Sequence, residues 1–161
     1  MYSIFDSASN TIQVPPEIFD DYMNAFFIEV GKSIDDSYVE GQGVYVPCGP
    51  AYPDLHFLFD RVWLQVNPED YVRDISADGD GSQCMLLITK GQTPFLIMGL
   101  PLFKGYYSVH DDTAGRIGFV PHSGSTKNGP YFAASYPTID LRDAVERTDY
   151  DDVTSHDSYQ N

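Results

Sequence analysis

One stretch of this 161-residue chain carries a long helical period; elsewhere apolar runs are cut at short intervals by proline, glycine and turn residues. Ile18, Phe19, Tyr22, Met23, Phe26, Phe27 and Val30 recur at spacings that line one wide face of a helix. Pro15-Pro16 stands at its start, where a missing N–H costs nothing, and Glu17, Asp20 and Asp21 suit the positive end of the helix dipole. Gly31 is a suitable residue just past the end. The spacing predicts one main amphipathic helix over about residues 16–30.

The rest reads as short strands. Residues 2–5 and Ile12-Gln13-Val14 are brief extended pieces. From Val44 the pattern is regular: Val44 to Val46, Leu55 to Phe59, an Asp60-Arg61 turn, Val62 to Val66, an Asp78-Gly79-Asp80-Gly81 turn, a buried strand from Cys84 to Ile88, and another from Phe95 to Met98. Tyr106 to His110 and Arg116 to Val120, joined through Asp112-Thr113-Ala114-Gly115, predict a final hairpin. With 11 Pro and 13 Gly, the composition suits a mostly β, turn-rich domain with one substantial helix. Residues 125–161 are rich in Asp, Ser, Thr and Tyr and poor in aliphatics. They are expected to form an acidic, flexible tail after a folded unit over 1–124, with one short helix within 137–145.

Charge excludes some partners. The formal net charge is −15 and the sequence pI is about 4.2, so nucleic acid and anionic membrane surfaces, which need clustered Lys and Arg, are poor partners. The acidity fits a protein of an acidic compartment and equally a merely soluble, anionic surface. No apolar run is long enough to span a membrane. The first residues lack the basic and apolar regions of a signal peptide, so the functional protein is expected to start elsewhere.

Other chemistry finds little support. His56, His110, His122 and His156 show no ligand spacing among themselves or with the cysteines, so no metal is expected. Asp78 to Gly81 resembles the start of a calcium loop but lacks the later ligands, and reads as a turn. There is no glycine-rich phosphate loop, no Gly-x-Ser-x-Gly elbow and no Asn-x-Ser/Thr sequon. No cofactor is implied. Cys48 and Cys84 read either as two buried thiols or as a disulfide.

Asp6-Ser7-Ala8-Ser9, entered from Ile4-Phe5, resembles the Asp-Thr/Ser-Gly-Thr/Ser loop that presents a catalytic carboxylate in pepsin-family (A1) aspartic proteases. Phe95-Leu96-Ile97-Met98-Gly99 is similar to the hydrophobic-hydrophobic-Gly segment that packs against that loop. Tyr106 to Asp111 and Gly115 to Phe119 resemble the strands that follow. Pro16-Glu17-Ile18-Phe19, Cys48, Pro53 to Phe57, Asn67 to Tyr71 and Cys84 fall in the matching order. The resemblance covers about residues 3–121 and is to the C-terminal lobe of the bilobal fold. Ala8 departs from the family's Gly, Asn10 from the usual Ser or Thr, and Leu100 from a frequent Asp or Ser.

The resemblance implies that Asp6 is one carboxylate of a dyad, that Ser7 and Ser9 hold its loop, and that Ile97, Met98 and Gly99 brace it. It implies a Cys48–Cys84 disulfide, and with it a secretory, vacuolar or lysosomal, or extracellular setting. It further implies an N-terminal pepsin-like lobe, in the same precursor or a separate chain, because the dyad needs a second Asp and the N-terminal lobe and first strands are expected to lie outside this chain. The expected activity is half of an aspartic endopeptidase acting on a peptide substrate. The alternative is a non-catalytic lobe in a binding or structural role. At the family's usual aromatic position, His110 is expected to pack.

Overall fold

A computed structural model describes residues 2–33, 38–40, 43–49, 51–60, 62–125 and 131–132. Apart from Ser125 and the pair Tyr131–Phe132, the 125–161 segment, with the helix expected within 137–145, lies outside the described residues.

In chain order the elements are β1 (Ser3–Phe5), β2 (Ile12–Val14), α1 (Pro16–Glu29), β3 (Tyr38–Glu40), β4 (Gly43–Val46), β5 (Leu55–Phe59), β6 (Val62–Val66), α2 (Pro68–Tyr71), β7 (Val72–Asp74), β8 (Cys84–Leu86), β9 (Ile88–Lys90), β10 (Leu96–Met98), α3 (Leu100–Phe103), β11 (Tyr106–Asp111), β12 (Arg116–Pro121) and β13 (Tyr131–Phe132). The described chain is therefore mostly β with one long helix, as the pattern predicts. Its strands form four sheets: β1-β10-β2-β9, β3-β4-β8-β7, β13-β6-β5 and the β11-β12 hairpin.

Helix α1 starts with Pro16 in its first turn and ends where Gly31 takes φ 70°. There the Lys32 N–H donates to the Phe27 carbonyl (2.8 Å) and the Gly31 N–H to the Ile28 carbonyl (3.0 Å), which satisfies the last carbonyls in a Schellman arrangement. Its buried stripe is Phe19, Met23, Phe26 and Phe27. Ile18, assigned to that stripe by spacing, is exposed, so the apolar face is narrower than the period suggests. The stripe joins a core that includes Ile12, Val14, Val44, Leu64, Val66, Leu86, Ile88, Met98 and Leu102. Burying a side chain of this size contributes roughly 1.5–3 kcal/mol.

Three features differ from the strand pattern. The run Cys84 to Ile88 is two strands in two sheets. At Leu87 the backbone leaves one sheet for the other: its N–H donates to the Tyr71 carbonyl (2.6 Å) and its carbonyl accepts from the Ile12 N–H (2.8 Å). The two four-residue helices α2 and α3 stand where the pattern predicts no element; each carries a proline in its first turn. A helix of one turn has no period to detect. Third, His110 is exposed on β11, its ring 3.2 Å from the Ser108 hydroxyl, so it does not pack as expected.

Cys48 and Cys84 form the disulfide that the resemblance implies, with Cα atoms 5.0 Å apart. It ties the exit of β4 to β8, its sheet neighbour, across a separation of 36 residues. On the chain-entropy account such a loop contributes roughly 3–4 kcal/mol.

Candidate active site

The site grows from an unusual strand order. Strand β1 leads into the loop 6–11 and the chain returns as β2, but the two do not pair with each other. Strand β10 lies between them, parallel to β1 (Ser3↔Leu96, Ile4↔Ile97, Phe5↔Met98) and antiparallel to β2 (Ile97↔Gln13). The loop therefore straddles the end of β10. Met98 is fully buried there, and its carbonyl accepts the Asp6 N–H at 3.0 Å. The Leu100 N–H donates to the Ser9 carbonyl at 2.8 Å, closing the other side.

Gly99 sits directly under this arch. A Cβ on Gly99 would lie 2.3 Å from the Thr11 carbonyl oxygen and 2.5 Å from that of Ser9. Its φ of −98° is open to any residue, so space alone demands glycine. This is the physical content of the Ile97-Met98-Gly99 signal: two strand residues hold the segment in the sheet and the glycine lets backbone lie on backbone.

Within the loop, Asp6 is half-buried. Its Oδ1 accepts the Ala8 N–H at 2.9 Å and its carbonyl accepts the Ser9 N–H at 3.1 Å, a tight turn that fixes the carboxylate relative to its own backbone. Ser9 is buried; its hydroxyl donates to the Thr11 carbonyl at 2.9 Å and accepts from the Gln13 amide at 3.2 Å. Ser9 thus acts on the loop backbone, while the Ser7 side chain is exposed. The hydroxyls of Thr11 and Thr89 lie 3.0 Å apart and tie the loop's return strand to β9. Gln13, Thr11 and Thr89 carried no signal in the sequence, because each acts through a neighbour that only the folded sheet brings close.

The departures sort themselves by geometry. Ala8 is exposed, and Asp60 is the single described non-glycine residue at positive φ, so the loop holds alanine without backbone strain. Asn10 is exposed as well. Leu100 opens α3 beside the loop and remains 38% exposed, placing an apolar side chain at the surface next to Asp6's turn.

The remaining polar groups lie elsewhere. His122 Nε2 is 2.7 Å from the Lys104 carbonyl and its Nδ1 accepts the Gly124 N–H (3.0 Å). The Asp80 carboxylate accepts the Ser82 N–H at 3.0 Å, making the 78–81 segment a turn. Among the described residues the one grouping of three ligand-type side chains is Cys48, Asp74 and Cys84, whose sulfurs are bonded to each other and cannot ligate as thiolates. No described helix is long and apolar enough to cross a membrane.

No curated protein matches the chain. The family model of the eukaryotic aspartyl protease matches residues 1–122, which takes in the Asp6 loop, the disulfide, Gly99 and the β11-β12 hairpin. A lobe of the pepsin-like fold accounts for the mostly β architecture, and the disulfide and domain type together fit a secreted or lysosomal protein. By that match, and by an arch of backbone over Gly99 that presents Asp6, the chain belongs to the eukaryotic aspartyl protease family.

Proposed function

We propose that this chain supplies one half of an aspartic endopeptidase site. Asp6 is one carboxylate of a water-activating dyad, and the second comes from an N-terminal pepsin-like lobe in the same precursor or a separate chain. Two carboxylates a few ångströms apart cannot both ionise cheaply, so their titrations split. One then takes a proton from the attacking water while the other gives a proton to the peptide carbonyl oxygen. The observation that carries this reading is the seat of Asp6 on the Gly99 arch: the carboxylate's own turn and two backbone bonds between the loop and the Met98–Leu100 segment hold it in place.

The β11-β12 hairpin supports a partner lobe. It pairs with no other described strand, and strand alternation sets Tyr107, Val109 and Val120, exposed by 68, 59 and 55%, on one face. An exposed apolar face of this kind suits a protein contact and supports that reading. The disulfide supports a secretory, vacuolar or lysosomal, or extracellular location.

The test is Asp6→Asn in the assembly that contains both lobes, assayed on a peptide at acidic pH. Hydrolysis is expected to fall roughly a hundredfold or more, with binding of a statine-type mimic weakened and folding unchanged. Hydrolysis that survives Asp6→Asn at full rate would sink the proposal and leave a non-catalytic binding or structural lobe.

A further inference from the structure

The Cys48–Cys84 disulfide is set among carboxylates. Asp74 on β7 is paired in register with Cys84 on β8, and a carboxylate oxygen of Asp74 and both sulfurs lie within 4.8 Å of one another. The carboxylate is held there: its Oδ1 accepts from the Ser76 N–H at 2.8 Å and the Ser76 hydroxyl at 2.6 Å. The 78–81 turn folds over the same place, since a Cβ on Gly81 would lie 4.0 Å from the Cys48 Cβ. The same turn carries Asp80, whose Oδ1 accepts the Ser82 N–H at 3.0 Å. Arg73, next along β7, points to the opposite face of the strand.

We propose that Asp74, with Asp80, makes this disulfide a charge-selective exchange site that resists anionic thiols such as glutathione and admits cationic ones. Cys84 is buried and Cys48 half-buried, so an incoming thiolate meets Cys48 first. It attacks the Cys48 Sγ, forms a mixed disulfide there and breaks the Cys48–Cys84 bond. The electron pair leaves on the Cys84 Sγ, which later takes a proton from water. A second thiolate attacks the mixed disulfide, releasing the oxidised small disulfide and the Cys48 thiolate, so two thiols supply the two electrons. Negative charge builds on the Cys84 sulfur beside Asp74, which disfavours the step for every thiol. The carboxylates of glutathione add to that repulsion, whereas the ammonium group of cysteamine offsets it.

The experiment measures reduction of the full chain by glutathione and by cysteamine at equal thiolate concentration, read as alkylated mass, in wild type, Asp74→Asn and Asp80→Asn. Asparagine keeps the Oδ1 acceptor that Ser76 uses, so the turn is retained. The cysteamine-to-glutathione rate ratio is expected to fall about threefold to tenfold in Asp74→Asn, less in Asp80→Asn, and to shrink in wild type at high salt. The ratio cancels any general loosening, which would speed both thiols alike. A ratio that stays within about twofold of wild type in both variants and is indifferent to salt overturns the proposal.

Discussion

Gly99 and Thr11 approach so closely that no side chain fits between them: a Cβ on Gly99 would lie 2.3 Å from the Thr11 carbonyl oxygen. The obstruction is backbone on both sides, with Met98 and Leu100 bonded to the loop immediately before and after. Gly99→Ala must therefore lift the 6–11 loop off the sheet. We expect a loss of about 3 kcal/mol or more in urea unfolding with the disulfide intact, and loss of the Asp6 seat with it. A loss below about 1 kcal/mol would mean that the loop yields easily.

Ala8 invites the opposite expectation from its sequence position. The family pattern has glycine there, yet Ala8 is exposed and lies outside the positive-φ region. Restoring the glycine relieves nothing and loosens the unfolded chain. Ala8→Gly should destabilise by about 0.4–1 kcal/mol and leave peptide hydrolysis by the two-lobe assembly within a few-fold of wild type. Stabilisation by this change would contradict the loop geometry.

His56 sets a pH dependence. Desolvation pulls its pKa below the ordinary 6.5, and the nearby Asp54 only partly restores it. Between the two pKa values the unfolded chain binds more protons than the folded one, so stability falls as pH drops through about 6.5 and levels off below the folded value. His56→Gln removes this contribution. Urea midpoints followed from pH 8 to 5 should decline less in His56→Gln than in wild type; identical slopes would show that His56 charges as readily folded as unfolded.

The outer face of the β11-β12 hairpin separates folding from assembly. Val109 and Val120 are more than half exposed and sit on the same face through the register Tyr107↔Val120 and Val109↔Gly118. Val109→Asp should change the stability of this chain by no more than about 0.5 kcal/mol. If this face docks the other lobe, the same substitution should weaken association at least about tenfold, because a charge would be buried without a partner. Unchanged association, read by co-elution of the two lobes, would place the contact elsewhere.

Much of the architecture was legible in the residues. The helix was marked by its period, its opening prolines and Gly31; the strands from Val44 onward by alternation and turn chemistry. Pattern failed where an element was too short or too uniformly buried to show one. The one-turn helices α2 and α3 depend on a proline at the first turn and on local bonds such as Asp70 N–H to the Asn67 carbonyl (2.9 Å). The break at Leu87 is hidden inside a continuous apolar run because Leu86, Leu87 and Ile88 are all buried, so no alternation marks the change of sheet. Ile18 continued the helical period but found no core facing it.

By itself the sequence determined the mostly β class, the main helix, the final hairpin and, through resemblance, the Asp6 loop and the Cys48–Cys84 pair. These rest on spacing along the chain and on residue types with narrow local preferences. Only the tertiary structure decided that β10 lies between β1 and β2, that Gly99 is required by space and not by φ, that the Ser9 hydroxyl serves Thr11 and Gln13, and that Asp74 stands at the disulfide. Each of these is a contact across strands, set by sheet order and register, which alternation within a single segment does not encode.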